Sequence, residues 1–176
     1  MKKQLLRLIQ LLFLAVIIAG GFGIVHNQIS YTISPDYFLK FKFIQFQLDW
    51  AYKVPRLGAS VVGFLASWWM GVLICLPLEA IAQYKLADAD EVFSRVLGAV
   101  KQVVFLTAVS SVLGLVLGVV FTRQVEPGYY PELLKRGIYD PLRFIQAGWM
   151  HNGSYFGAVL GTVWVIFKLL KPSHSL

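Results

Sequence analysis

Four long apolar stretches follow one another along the chain, each bounded by charged or polar residues. The first three contain 18, 28 and 21 residues and lie between Arg7 and His26, Arg56 and Lys85, and Lys101 and Arg123. A helix needs about 20 mainly apolar residues to cross the hydrocarbon layer of a bilayer. The pattern therefore predicts four transmembrane helices in one domain, residues 1–176, with spans at approximately 5–27, 57–83, 100–122 and 144–168.

The fourth helix has a clear predicted start. Asp140 can accept hydrogen bonds from free backbone N–H groups, and Pro141 loses no bond at the first helical position. The chain can then stay helical to Leu170, before Lys171 and Pro172. A helix over residues 141–170 is about 45 Å long at 1.5 Å per residue. We therefore expect its first turns to lie outside the hydrocarbon.

Two other positions carry helix-start signals. Asp88, followed by Glu91 three residues later, resembles a capping box, so the third helix is expected to begin near Ala89. Ser34 before Pro35 predicts a further start in the connection between the first two spans.

The two connections that share one side of the membrane in this four-span topology are predicted to be partly helical. Residues 37–46 are aromatic and basic, which is typical of a helix in the headgroup layer. Lys40 and Lys42 also alternate with apolar residues, so a short amphipathic β-strand is the alternative. A short helix ending at Gly137 is expected in the other connection. The predicted fold is all-α, a four-helix transmembrane bundle with short interfacial helices in these two outer connections.

Composition supports the membrane assignment. The chain is 57% hydrophobic and 14% charged, with a mean hydropathy of +0.66, whereas soluble domains carry about 25% charged residues. The net charge of +7 is scattered around the apolar runs, which favours anionic lipid headgroups over nucleic acid. Cys75 is the single cysteine, which excludes an internal disulfide and a thiolate metal cage.

Basic residues give a limited indication of orientation. Eight of them fall on each side of a four-span topology, so their total is uninformative. Lys2, Lys3 and Arg7 precede the first span and favour a cytoplasmic N-terminus, with both termini inside a bacterial inner membrane. They also resemble the start of a signal peptide, but residues 19–23 lack an A-x-A cleavage site, so we predict an uncleaved helix.

Two histidines form the candidate polar or ligand site. His26 ends the first span and His151 opens the fourth, so antiparallel packing places both at the outer side. Their contexts repeat a pattern: His26, Asn27, Ser30 and Tyr31 in one, His151, Asn152, Ser154 and Tyr155 in the other. On a helix, members of each group share a face, provided that the first helix continues past Val25. Polar groups at membrane depth are functional by default.

Several chemistries are open to this pair. Imidazole is a common ligand of metal ions, including haem iron, and the same groups could relay protons or hold a quinone. Candidate carboxylate contributors are Asp36, Glu79, Glu126 and Asp140. No metal-binding motif with diagnostic spacing is present. The alternative is structural: such side chains also hydrogen-bond headgroups and anchor helix ends.

Two features inside the spans have structural interpretations. Glu79, which follows Pro77, is expected to pair with Lys85 or Lys101, with a proton-carrying carboxylate as the alternative. Small residues at four-residue spacing predict close packing of the third and fourth helices: Gly114, Gly118, Gly157 and Gly161.

One segment resembles a known family. Residues 26–31, with Ser34-Pro35-Asp36 and residues 42–46, resemble a pattern in small bacterial four-span membrane proteins of uncharacterised function. The resemblance implies a bacterial four-span protein in which the first outer connection matters. It implies no activity, substrate or cofactor.

Three functions remain open from the sequence. The first is a non-enzymatic accessory or assembly component, in a larger membrane complex or a homo-oligomer. The second is an outer-face site for a metal, proton or quinone on His26 and His151. The third is a small transporter or channel subunit. An enzyme is disfavoured because no nucleophile–base pair can be named.

Overall fold

The computed structural model describes residues 2–171, so the predicted helix stop at Pro172 lies outside the described residues. Four long helices dominate: α1, Lys2–Ile33; α2, Pro55–Lys85; α3, Ala89–Thr122; and α4, Pro141–Leu170. All four are long and apolar enough to cross a membrane. The predicted all-α four-helix transmembrane bundle is confirmed. Each helix extends beyond its apolar span because a helix satisfies its own backbone hydrogen bonds in water as well as in lipid.

The predicted helix starts on α3 and α4 are also confirmed. One carboxylate oxygen of Asp88 accepts hydrogen bonds from the N–H groups of Asp90 and Glu91, both at 3.0 Å. Asp140 accepts from the N–H group of Arg143 at 3.0 Å. These carboxylates satisfy backbone donors that have no partner within the helix.

The first connection, residues 34–54, is helical rather than extended. It contains the segments Pro35–Tyr37, Phe38–Lys42, Phe43–Gln45 and Asp49–Tyr52, the second a π-helix and the last a 3-10 helix. Ser34 Oγ accepts from the N–H group of Tyr37 at 3.3 Å and starts the first of them. The β-strand alternative is wrong for this segment. Phe38 and Phe43 are fully buried, so the segment packs into the bundle and does not only lie on the headgroup layer.

The third connection contains a 3-10 helix, Pro127–Tyr129, and a short α-helix, Pro131–Lys135. The predicted short helix is therefore present and ends two residues before Gly137, which has a φ of +73°. Glycine adopts this left-handed conformation without the steric cost that a side chain would add.

The long helices pack as two close pairs, α1 with α2 and α3 with α4. In the first pair Gly23 and Gly63 face each other so closely that an added Cβ on either would overlap the other's backbone. In the second pair Gly114 and Gly153 are also neighbours, but an added Cβ on Gly114 would overlap the carbonyl of Trp149, and one on Gly153 the carbonyl of Ser110. Gly157 lies against Leu106 and Thr107 of α3. Glycine packing of α3 on α4 is confirmed, whereas that of α1 on α2 was not predicted.

Two apolar clusters occupy the ends of the bundle. We call the end where α1 begins and α4 finishes the terminal end, and the other the distal end. Buried residues near the terminal end include Leu11, Leu78 and Val96, and those at the distal end include Phe38 and Val62. A polar layer lies between these clusters.

A Gly63→Ala substitution tests the close helix pair. We expect the free energy of unfolding in detergent to fall by about 1–3 kcal/mol, because the new methyl group overlaps the Gly23 backbone. Gly21→Ala is the matched control, since an added Cβ there meets nothing within 4 Å. Equal stability of the two variants, measured by thermal or denaturant unfolding, would contradict close contact between α1 and α2.

Candidate functional site

His26 of α1 and His151 of α4 are in direct contact inside the bundle. Their ring centroids are 4.5 Å apart and the rings are nearly perpendicular, at 85°. Each residue is only 6% exposed. Because α1 stays helical to Ile33, His26 lies about two turns before the helix end.

Two serines hold the imidazole rings in a crossed arrangement. Ser30 Oγ of α1 lies 3.1 Å from His151 Nε2, and Ser111 Oγ of α3 lies 3.2 Å from His26 Nδ1. Which atom donates depends on the tautomer of each ring. Sequence reasoning missed Ser111, although Ser110 and Ser111 interrupt an otherwise apolar stretch and give a signal that could have identified it.

One nitrogen of the pair is unsatisfied. His26 Nε2 is buried and has no hydrogen-bond partner among the residues that the structure describes. A buried polar atom without a partner costs about 1–3 kcal/mol, and native proteins contain few of them. The arrangement therefore retains an unused hydrogen-bonding position beside a second imidazole.

Aromatic side chains cover the pair from the first connection. The Tyr37 ring stacks on His151 with a centroid distance of 4.8 Å and an angle of 21°. Phe38 lies 6.3 Å from the His151 ring. We call Tyr37 and Phe38 the aromatic cover. Phe22 of α1 lies 5.5 Å from the His26 ring.

A buried lysine supports the aromatic cover. Lys42 Nζ lies 5.7 Å from the centre of the Tyr37 ring and 4.7 Å from that of Phe41. It donates to Gln45 Oε1 at 3.0 Å. Burial lowers the pKa of Lys42 and raises that of the Tyr37 hydroxyl, because a charged group is poorly solvated there.

The other predicted site residues have separate roles. Asn27 donates to the carbonyl of Ala59 on α2 at 3.1 Å, and Ser154 donates to the backbone carbonyl of His151 at 2.7 Å. Tyr31 packs against Phe38, whereas Asn152 is exposed and Tyr155 is half exposed. Of the eight predicted residues, the structure brings His26, Ser30 and His151 together.

The candidate carboxylates do not join this cluster. Asp36 accepts from the N–H group of Tyr139 at 2.7 Å, and Asp140 caps α4. Glu126 is exposed on the third connection. Within residues 2–171 no group of three His, Cys, Asp or Glu side chains could hold a metal ion. In this arrangement Asp36 and Asp140 hold backbone N–H groups, and the contribution of a carboxylate to a histidine site stays a prediction.

Glu79 lies in the opposite half of the bundle. It accepts a hydrogen bond from Gln83, one turn along α2. Lys85 instead donates to the carbonyl oxygens of Leu169 and Lys171 at the end of α4, at 3.0 and 3.2 Å. The expected pair of Glu79 with Lys85 or Lys101 is not among the ion pairs of the described residues. Lys85 binds the free carbonyls at the end of α4 instead.

The pair does not fit a haem held between the two histidines or a metal ion that needs four protein ligands. Haem iron held by two histidines has one on each side of the macrocycle, and rings whose centroids are 4.5 Å apart leave no space for it. Structural zinc takes four ligands, and the pair supplies two nitrogens.

No family model, curated protein or solved structure matches the chain. The fold therefore defines its class: an integral, multi-pass membrane protein with four candidate membrane-spanning helices.

Tyr37 variants test the aromatic cover. We expect Tyr37→Ala to raise the rate at which diethyl pyrocarbonate modifies His151 by about tenfold. This corresponds to a loss of about 1.4 kcal/mol from the free energy that favours the covered state of the rings over an exposed one. Tyr37→Phe keeps the stacked ring and should react like the wild type. Mass spectrometry of the modified peptides measures both rates. Similar rates in the two variants would show that the stacked ring does not shield the pair.

Proposed function

We propose that the protein is a proton-responsive membrane protein in which His26 and His151 share one proton. The observation that carries this proposal is the buried, unpartnered His26 Nε2 beside a second imidazole. A proton needs only a nitrogen lone pair, whereas a metal ion needs further ligands and a quinone needs a cavity beside the ring. The pair supplies what proton binding requires.

The surroundings of the pair link proton uptake to movement of the aromatic cover. A charged imidazole is poorly solvated when it is buried. Tyr37 stacks on His151, and Ser30 and Ser111 contact the two imidazole rings. Lys42 lies over the Tyr37 ring, and Arg56 of α2 lies over the nearby Tyr31 ring. These cations would repel a charged imidazole, and the nearest aspartates along the chain, Asp36 and Asp140, bind backbone N–H groups instead.

This environment favours two states of the protein. The neutral pair is compatible with the closed aromatic cover. The protonated pair favours conformations in which water reaches the rings, because water replaces the missing stabilisation of the charge. Proton binding and opening of the cover are therefore linked, and each favours the other.

Nitrogen-15 NMR of the histidines tests proton sharing. In a His174→Gln variant only the two ring systems of the pair contribute signals. On acidification we expect both sets of signals to change at one common midpoint, because a proton on either ring perturbs its neighbour. Two independent midpoints, or no change before the protein unfolds, would contradict a shared proton.

Single variants and a metal analysis complete this experiment. His26→Gln and His151→Gln each retain a hydrogen-bonding side chain, and either should abolish the coupled change. Elemental mass spectrometry of the same samples should show no stoichiometric metal. Stoichiometric metal that disappears in either variant would replace the proton with a metal ion as the ligand.

The proposed orientation places the terminal end in the cytoplasm of a bacterium, with the protein in the inner membrane. Its support is the cluster of Lys2, Lys3 and Arg7 at the start of α1. The histidine pair then lies in the outer half of the membrane, closer to the external solution.

A second candidate function is an accessory or assembly component of a larger membrane complex. The supporting observation is that the four long helices make up most of the described chain and that, at the terminal end, three residues, 86–88, connect α2 to α3. Much of the surface available to a partner is therefore the lipid-facing surface of the bundle. The predictions of a homo-oligomer and of a transporter or channel subunit stay predictions.

Purification at native expression level in a mild detergent tests the accessory function. We expect the chain to elute with a larger membrane partner in stoichiometric amount, because its lipid-facing helix surfaces are the main surfaces it offers. Native mass spectrometry identifies the composition of the eluted particle. A single monodisperse chain would contradict this function, and a particle containing only copies of the chain would identify a homo-oligomer instead.

A further inference from the structure

The terminal end of the bundle contains a cavity of about 640 Å³ that the histidine site does not use. It lies between the end of α2, the second to fourth turns of α3 and the end of α4. Its lining combines cationic side chains with small apolar ones. We therefore consider which ligand needs both kinds of surface.

The cationic part consists of Lys85, Arg95, Lys168 and Lys171. None of the lining residues within the described part of the chain is acidic. Lys85 and Lys168 donate to neutral oxygens, the latter to Gln102 Oε1 at 3.3 Å. These contacts orient the ammonium groups without neutralising their charge. Arg95 lies 3.4 Å from Glu91, in an exposed pair that contributes little.

The apolar part consists mainly of Ala82, Ala99 and Val165, which lie deeper in the bundle. The apolar stretch of α3 begins after Gln102. Residues 103–122 span about 30 Å, which is the thickness of the hydrocarbon layer, so Gln102 marks its boundary on this helix. The α3 residues that line the cavity lie between Ser94 and Gln102, so the cavity reaches this boundary from the headgroup side. Its cations lie on the headgroup side and its apolar wall extends toward the hydrocarbon.

We propose that this cavity binds one anionic phospholipid, with its phosphate among Arg95, Lys168 and Lys171 and its glycerol and first acyl carbons against Ala99 and Val165. Basic pockets between transmembrane helices bind such headgroups through charge and hydrogen bonds. A free phosphate ion has the same headgroup chemistry but gains nothing from the apolar wall. The lipid is therefore the ligand that uses the whole cavity.

Native mass spectrometry of delipidated protein, titrated with phosphatidylglycerol or phosphatidylcholine of identical acyl chains, tests this site. We expect one phosphatidylglycerol to bind more tightly than phosphatidylcholine. Arg95→Gln/Lys168→Gln should weaken phosphatidylglycerol binding about 30-fold, at about one kcal/mol for each lost charge. Arg123→Gln/Arg136→Gln removes the same charge at the distal end and should leave binding unchanged.

A second pair of variants tests the cavity itself without altering charge. An added Cβ at Gly98, in the lining, meets nothing within 4 Å, so Gly98→Leu should fill the cavity without disturbing the helices. Gly21→Leu is the matched control on α1, where an added Cβ also meets open space. Gly98→Leu should abolish preferential phosphatidylglycerol binding, and Gly21→Leu should preserve it. Circular dichroism and gel filtration confirm that each variant is folded.

Three results would overturn the proposal. Equal binding of the two lipids by the wild type would show that charge is not recognised. Equal loss in the terminal-end and distal-end charge variants would show a general effect of net charge. Displacement of phosphatidylglycerol by inorganic phosphate at comparable concentration would identify soluble phosphate, not lipid, as the ligand.

Discussion

Close backbone contact between glycines is the constraint on which the rest of the structure depends. Helices in hydrocarbon gain little from burying apolar side chains against each other, because lipid tails are equally apolar. Gly23 with Gly63, and Gly114 with Gly153, allow two helix pairs to pack at short range. His26 belongs to one pair and His151 to the other, so the contact between the imidazole rings lies where the two pairs meet.

In the polar layer, the two helix pairs are joined by crossed contacts. Ser30 of α1 holds the histidine of α4, and Ser111 of α3 holds the histidine of α1. Each serine therefore joins helices of different pairs. The contacts of the two histidines depend on how the α1–α2 pair is placed against the α3–α4 pair. The first connection covers this contact with Tyr37, so the path of that connection contributes to the burial of the rings.

The two ends of the bundle have different chemistry, and α4 contributes residues to the sites at both. Near the distal end a buried imidazole pair lies beneath an aromatic cover, where a charge is costly. At the terminal end an open cavity is lined by exposed cations, which water can solvate. The contrast follows from depth, because buried and interfacial groups of the same helix experience very different solvation.

The sequence by itself determined the four helices and their starts at Asp88 and Asp140, because apolar length and helix capping are local properties. It also identified both histidines, since polar side chains beside apolar spans are conspicuous. Only the tertiary structure decided that Ser111 and Tyr37 contact them and that Asp36 and the other carboxylates do not. The reason is physical. Lipid-facing and inward-facing surfaces are both apolar, so periodicity does not indicate how each helix is rotated, and no local signal fixes the path of the first connection.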